Sequence, residues 1–226
     1  RFLYEGGNPT LQPEKVFNVE AMMIYKWLNV SVGYKYLKDV MEWTKYIYPG
    51  KEFAYNTSLN FDHKQLLYAS VHVSPKFGIF RPTWGFNYNQ QFFDTRKYGA
   101  SKALSKPLLS CSLNNNFALS ETMNAAIRLN ASTTHADGFL MMKSYYRVDL
   151  QFDKSFANRT WIIYLSANDI FKTAKERWTM YGLGAGTTKD CYNYTRNISL
   201  QVTYNFNAKR SKYKGTGAGN EEKSRL

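Results

Sequence analysis

The sequence predicts an all-β fold: an antiparallel meander of about nine long strands forming part of a transmembrane β-barrel, plus an extracellular loop hairpin. Three observations predict it. First, apolar and polar residues alternate. Ile198, Leu200, Val202, Tyr204 and Phe206 are apolar, with Ser199, Gln201, Thr203 and Asn205 between them. Side chains alternate faces along a strand, so such a segment has one apolar and one polar face. Second, aromatics make up 17% of the chain, with 18 Tyr, 15 Phe and 5 Trp against only 6 Pro. That is too aromatic for disorder and too strand-like for a helical bundle. Third, short connections alternate with longer ones, as short periplasmic turns alternate with outer loops in membrane barrels.

Taken in order, the first predicted strand is Phe17–Trp27, with Phe17, Val19, Ala21, Met23, Tyr25 and Trp27 on one face. Asn18, Glu20 and Lys26 lie opposite, and Met22 and Ile24 break the polar rule. A tight turn near Leu28 leads to Val30, Val32, Tyr34 and Tyr36. After a long connection over Leu37–Gln65, the third strand carries Leu67, Ala69, Val71 and Val73. The fourth carries Pro82, Trp84, Phe86, Tyr88 and Phe92, and the fifth Leu109, Cys111, Leu113, Phe117 and Leu119. Met123, Ala125, Ile127, Leu129 and Ala131 mark the sixth, and the seventh runs from Leu140 to Phe152. Trp161, Ile163, Leu165 and Ala167 form the eighth, and the segment ending at Phe206 is the ninth. Short turns are expected near Leu28, Lys76–Ile79, Ser120–Thr122 and Ser155–Arg159. The longer connections are Leu37–Gln65, Asp94–Lys106, Ser132–Phe139 and Ile170–Thr195, the last with a hairpin at Arg177–Thr187.

Composition narrows the classes further. No run approaches the roughly 18 apolar residues of a membrane helix, and the mean hydropathy of −0.49 is compatible with strands that dilute apolar residues by alternation. Cys111 and Cys191 sit far apart in the chain, which argues against a disulfide framework. The net charge of +13 suits a polyanionic partner such as lipopolysaccharide. No nucleic-acid motif accompanies that charge, and no nucleic-acid partner is expected. The chain opens Arg1-Phe2-Leu3-Tyr4, without Met or a signal peptide. Bacterial single-chain barrels have even strand counts with both termini periplasmic. An odd count therefore leads to the expectation of a C-terminal piece: 1–206 as barrel wall, 207–226 as a basic, flexible periplasmic tail.

Four motifs in order bring a family into view. Gly7-Asn8-Pro9-Thr10-Leu11-Gln12-Pro13-Glu14 resembles the G-N-P-x-L-x-P-E loop of TonB-dependent outer-membrane receptors. Asn168-Asp169-Ile170-Phe171 is similar to the signature ending their penultimate strand, and Arg196 through Phe206 to their closing strand. The stretch from Ser211 to Asn220 resembles the endings of the Bacteroidota outer-membrane β-barrel protein family. This resemblance implies a barrel of about 22 strands, plugged by an N-terminal domain and energised by the inner-membrane TonB complex. It implies uptake of a scarce nutrient such as a siderophore or glycan, and assembly factors that recognise the strand ending at Phe206. Outer-membrane lipid, the plug and TonB are the expected partners. Two readings stand beside it: a complete small outer-membrane pore or adhesin, and a soluble carbohydrate-binding β-sandwich.

No catalytic constellation, metal-ligand spacing or phosphate loop is visible, so neither enzyme chemistry nor a cofactor is expected. Candidate ligand contacts are aromatics of the expected loop, Trp43, Tyr46 and Tyr48, and polar-face cations Arg128, Lys143 and Arg147. Exposed aromatics stack on sugars or siderophores. Cations on the polar face line a substrate path or belong to a satisfied lumen network.

Overall fold

A computed structural model describes residues 3–47, 54–184 and 186–206. The strands are β1 (Leu3–Glu5), β2 (Lys15–Tyr25), β3 (Leu28–Ile47), β4 (Ala54–Val73), β5 (Phe80–Phe92), β6 (Leu108–Ser120) and β7 (Met123–Ser132), followed by β8 (His135–Asp137), β9 (Leu140–Met142), β10 (Tyr145–Phe156), β11 (Trp161–Asn168), β12 (Lys175–Tyr181), β13 (Gly186–Tyr192) and β14 (Asn197–Tyr204). Nine of them pair in the order β2-β3-β4-β5-β6-β7-β10-β11-β14, every neighbour antiparallel. The meander is the predicted one, and β2 does not pair with β14 to close it.

Register sorts the faces. Val30 lies opposite Val71, Val71 opposite Phe86, Phe86 opposite Cys111, and Cys111 opposite Ala131. Leu129 faces Val148, and Ile163 faces Val202, so one face is apolar across the whole sheet. Among the described residues none covers it: Phe17 is 61% exposed, Leu200 67% and Ile198 80%. A soluble sandwich would bury this face against a second sheet, so the sandwich reading is overturned. Aromatics collect on it toward the short turns, where Phe80 stacks on Phe117 at 5.1 Å and Trp161 meets Tyr204 at 4.5 Å. Aromatic girdles of this kind mark membrane–water boundaries.

The opposite face is polar. Asn18, Lys35, Ser31, Ser70, Asn87, Ser110, Asn114, Arg128, Asp149, Gln151 and Ser166 occupy it. Ser31 meets Ser70 at 2.9 Å and Ser166 meets Ser199 at 2.7 Å across strand pairs. Gly33 makes room for the Tyr68 ring that crosses it, since a Cβ there would stand 2.3 Å from the ring and push it aside.

The expected loop Leu37–Gln65 is a correction. Its residues extend β3 and β4 to 20 residues each, paired out to Ile47 and Ala54. Alternation was unreadable there because the phase changes at Asp39, which adopts the left-handed conformation (φ 55°). Before it the odd positions Ser31, Gly33 and Leu37 are buried; after it the even positions Val40 and Thr44 are. The seventh predicted strand is also corrected: it divides into β9 and β10, with Lys143 and Ser144 at the bend. β1, which pairs in parallel with the outer part of β4, had no sequence signal.

Short turns (26–27, 74–79, 121–122 and 157–160) all lie at one end. At the other end, residues 93–107, 133–144, 169–184 and 186–196 gather, and the first two pack with Leu183 against the outer parts of β3, β4 and β5. The predicted hairpin forms as β12–β13 and joins β9 and β8 in a four-stranded sheet. A compact apolar core, Leu37, Val40, Phe61, Phe93, Ala100 and Phe139, binds these connections together. Leu183 exchanges backbone bonds with Lys45 and Ile47, which seals the outer edge of β3.

Candidate functional site

The polar face and the roof over its outer end form the candidate site. Three strand-borne groups hold the roof. Gln91, on the polar phase of β5 and 3% exposed, clamps two connections with one amide. Its Nε2 donates to the Leu104 carbonyl at 2.7 Å, and its Oε1 accepts the Gly138 N–H at 2.9 Å. Gly138 has φ 52°, and any Cβ there would strike the Glu42 carboxylate, so glycine is the residue that fits.

Asp169 is the second group. It ends β11 in the left-handed conformation and is wholly buried. Its carboxylate accepts from the Thr173 and Ala174 backbone N–H groups at 2.8 and 3.2 Å, and from the Tyr192 and Thr195 hydroxyls at 3.1 and 2.8 Å. Burial alone would raise its pKa, but these donors outweigh burial and hold it below the ordinary carboxylate range. One side chain thus ties together both ends of the connection from β11 to β14.

The third is an ion pair above the membrane-spanning part. The Lys64 ammonium donates to Glu42 at 2.6 Å, with both side chains largely buried. Burial raises the Glu42 pKa more than the lysine lowers it.

Below the roof, the polar face holds an open cavity of about 610 Å³ lined by Arg81, Thr83, Asn116, Asn124, Arg128, Gln151, Asp153 and Tyr164. Arg128 lies across from Asp149, and Asn124 donates to Asp153 at 2.8 Å. Arg147 Nε donates to Asp149 Oδ1 at 2.7 Å. These groups suit hydrogen bonding to a polar solute; among the described residues no cluster of His, Cys, Asp and Glu could hold a metal ion.

The structure separates the predicted contacts. Arg128 and Arg147 lie on the polar face, as predicted. Lys143 does not share their row: it stands in the β9–β10 bend, beside Lys175 and Arg177. Trp43 and Tyr46 are strand residues of outer β3, not loop residues, and Tyr46 borders a cavity with Tyr55 and Gly7–Thr10. Tyr48 lies outside the described residues. Sequence reasoning missed Gln91, Lys175 and Arg177. Gln91 was visible only as a polar-phase residue, and Asp169 only within the Asn168–Phe171 motif.

Comparison with protein families agrees with this geometry. The sequence profile of the outer membrane protein beta-barrel family matches residues 1–204. Among solved structures, OmpT (in-vitro folded), an outer membrane protein of Vibrio cholerae, overlays with a TM-score of 0.45 at 11% identity, covering 84% of this chain and 55% of that one. This chain thus spans about 55% of that protein's length. No curated protein matches the sequence.

Proposed function

This chain belongs to the outer membrane protein beta-barrel family, and from that premise we propose that it is wall from the C-terminal part of a wide, plugged, TonB-dependent receptor taking up a scarce nutrient. Its place is the outer membrane. The observation that carries the proposal is the open arc. About eight strands are enough to close a small barrel, yet the nine here leave β2 and β14 without outward partners among the described residues. Strands elsewhere in the same polypeptide complete the circle in this reading, and a plug domain lies against the polar face. The roof over the long-connection end supports it too, since a roofed mouth selects ligands where an open pore admits them. Siderophores and glycans both suit the aromatic and cationic residues at that end. β14, with Phe206 two residues past its end, offers assembly factors an amphipathic last strand, and lipopolysaccharide surrounds the apolar face.

Planar-bilayer conductance of the native full-length gene product tests this. A plugged receptor stays electrically silent until the plug is removed. A steady open conductance in the untreated protein refutes the receptor reading and favours a small passive pore.

A further inference from the structure

We propose that the cleft between the β9–β10 bend and the base of the β12–β13 hairpin binds a compact multivalent oxyanion, a molecule presenting clustered phosphate or carboxylate groups. The cleft has a volume of about 340 Å³, and its lining includes His135, Lys143, Lys175, Glu176 and Arg177. Three full positive charges and an imidazole therefore meet one carboxylate. That carboxylate is already committed: Glu176 accepts from Lys189 at 2.8 Å and from Trp178 Nε1 at 3.0 Å. The buried Asp169 behind the cleft is saturated by its own five donors. Asp190 pairs with Arg177 in register across the hairpin but forms no ion pair with it among the described residues. The cleft is left with uncompensated positive charge.

Its frame is cross-bonded and its two ammonium groups are free. The Lys143 N–H donates to the Arg177 carbonyl at 2.9 Å, and Arg177 Nη2 donates to the Ser144 carbonyl at 3.0 Å, so bend and hairpin are fixed to each other. Arg177 Nε is buried without an acceptor, and the Lys143 and Lys175 ammonium groups have no protein partner among the described residues. A pre-positioned guanidinium with two unengaged ammonium groups is the donor set that clustered oxyanions satisfy. Lipopolysaccharide carries the same phosphate chemistry. The geometry favours a soluble source, because Ser132 and Tyr145, which pair in register at the floor of the cleft, lie on the polar phase with Asn130 and Arg147. Treating this anion as cargo rests on the uptake reading above; the binding site itself does not.

Isothermal titration of the native full-length gene product in lipopolysaccharide-free detergent, with inorganic pyrophosphate as probe, tests the site. Saturable binding is expected, weakening steeply with salt. The K143Q/K175Q double variant, which removes two exposed and unpaired ammonium groups, should bind at least about tenfold more weakly. Glu176→Gln should bind more tightly, because it removes the one negative charge in the lining. Unchanged affinity in the double variant, or weaker binding by Glu176→Gln in a protein whose circular dichroism is unaltered, overturns the proposal. A parallel titration with purified lipopolysaccharide identifies the source: lipopolysaccharide binding sensitive to K143Q/K175Q, without pyrophosphate binding, overturns the soluble-ligand assignment. If pyrophosphate binds as expected but the full-length protein conducts steadily, the uptake reading fails and the site stands.

Discussion

The backbone N–H of Asp169 donates to Asp149 Oδ1 at 2.7 Å, joining the corner after β11 to the polar face of β10. The same oxygen accepts from Arg147 Nε at 2.7 Å. A carboxylate in the middle of a strand therefore positions the corner from which the longest connection departs, and that corner's own carboxylate gathers the connection's far end.

Replacing Asp149 by Ala leaves a buried N–H and a guanidinium without their acceptor. The expected cost is about 1–3 kcal/mol, falling on the corner rather than on the whole sheet. Hydrogen exchange should accelerate at Asp169–Ala174 and in β13, with β4–β6 unchanged. Uniform acceleration across the sheet would contradict this local role.

Gln91→Leu preserves volume and removes the amide that clamps Leu104 and Gly138. We expect a loss of about 1–3 kcal/mol and faster proteolysis within 93–107 and 133–144. Limited digestion with mass-spectrometric mapping checks this, and unaltered cleavage in both connections would show that the apolar core holds the roof without Gln91.

Facing is tested by charge placement. Arg at Val148 or Val202, on the apolar face, should cost roughly 2–4 kcal/mol near the bilayer midplane. Arg at Gln151 or Gln201, on the polar face, should cost far less. Reversible unfolding in liposomes reads both, and equal costs would reverse or abolish the assignment of faces.

Acid should loosen the hairpin before the barrel wall. The Lys189 ammonium, followed by the Trp178 N–H, holds Glu176 at about 2 against an ordinary 4.5. A lowered folded-state pKa stabilises above the unfolded value and is lost as pH falls through the folded one. The contribution is complete above about pH 4.5 and disappears toward pH 2. Asp169 is shifted in the same direction and adds to the loss. In a variant keeping Trp178 as its single tryptophan, fluorescence should change across that window, and Glu176→Gln should remove the Glu176 part of the change.

The barrel wall is legible in the residue pattern alone. Period-two alternation depends only on which face a residue takes, so it sorts Val30, Val71, Leu113, Val148 and Val202 onto one surface, and the strand register sets them there. The alternation of connection lengths likewise sorted the long connections to one end, and the strand-like stretch Arg177–Thr187 pointed to the hairpin that forms as β12–β13. The make-up of the roof is not legible there. The extension of β3 was hidden because one left-handed residue, Asp39, shifts the burial phase, and a periodic pattern cannot be followed through a phase change. The roles of Gln91 and Asp169 come from partners 13 to 47 and 4 to 26 residues away. Lys143 looked like a lumen residue by periodicity, yet the bend before β10 sets it beside Arg177, 34 positions later in the chain. Periodicity is local, whereas clamps and clefts arise where distant backbone is brought together, and there only the packed chain assigns the partners.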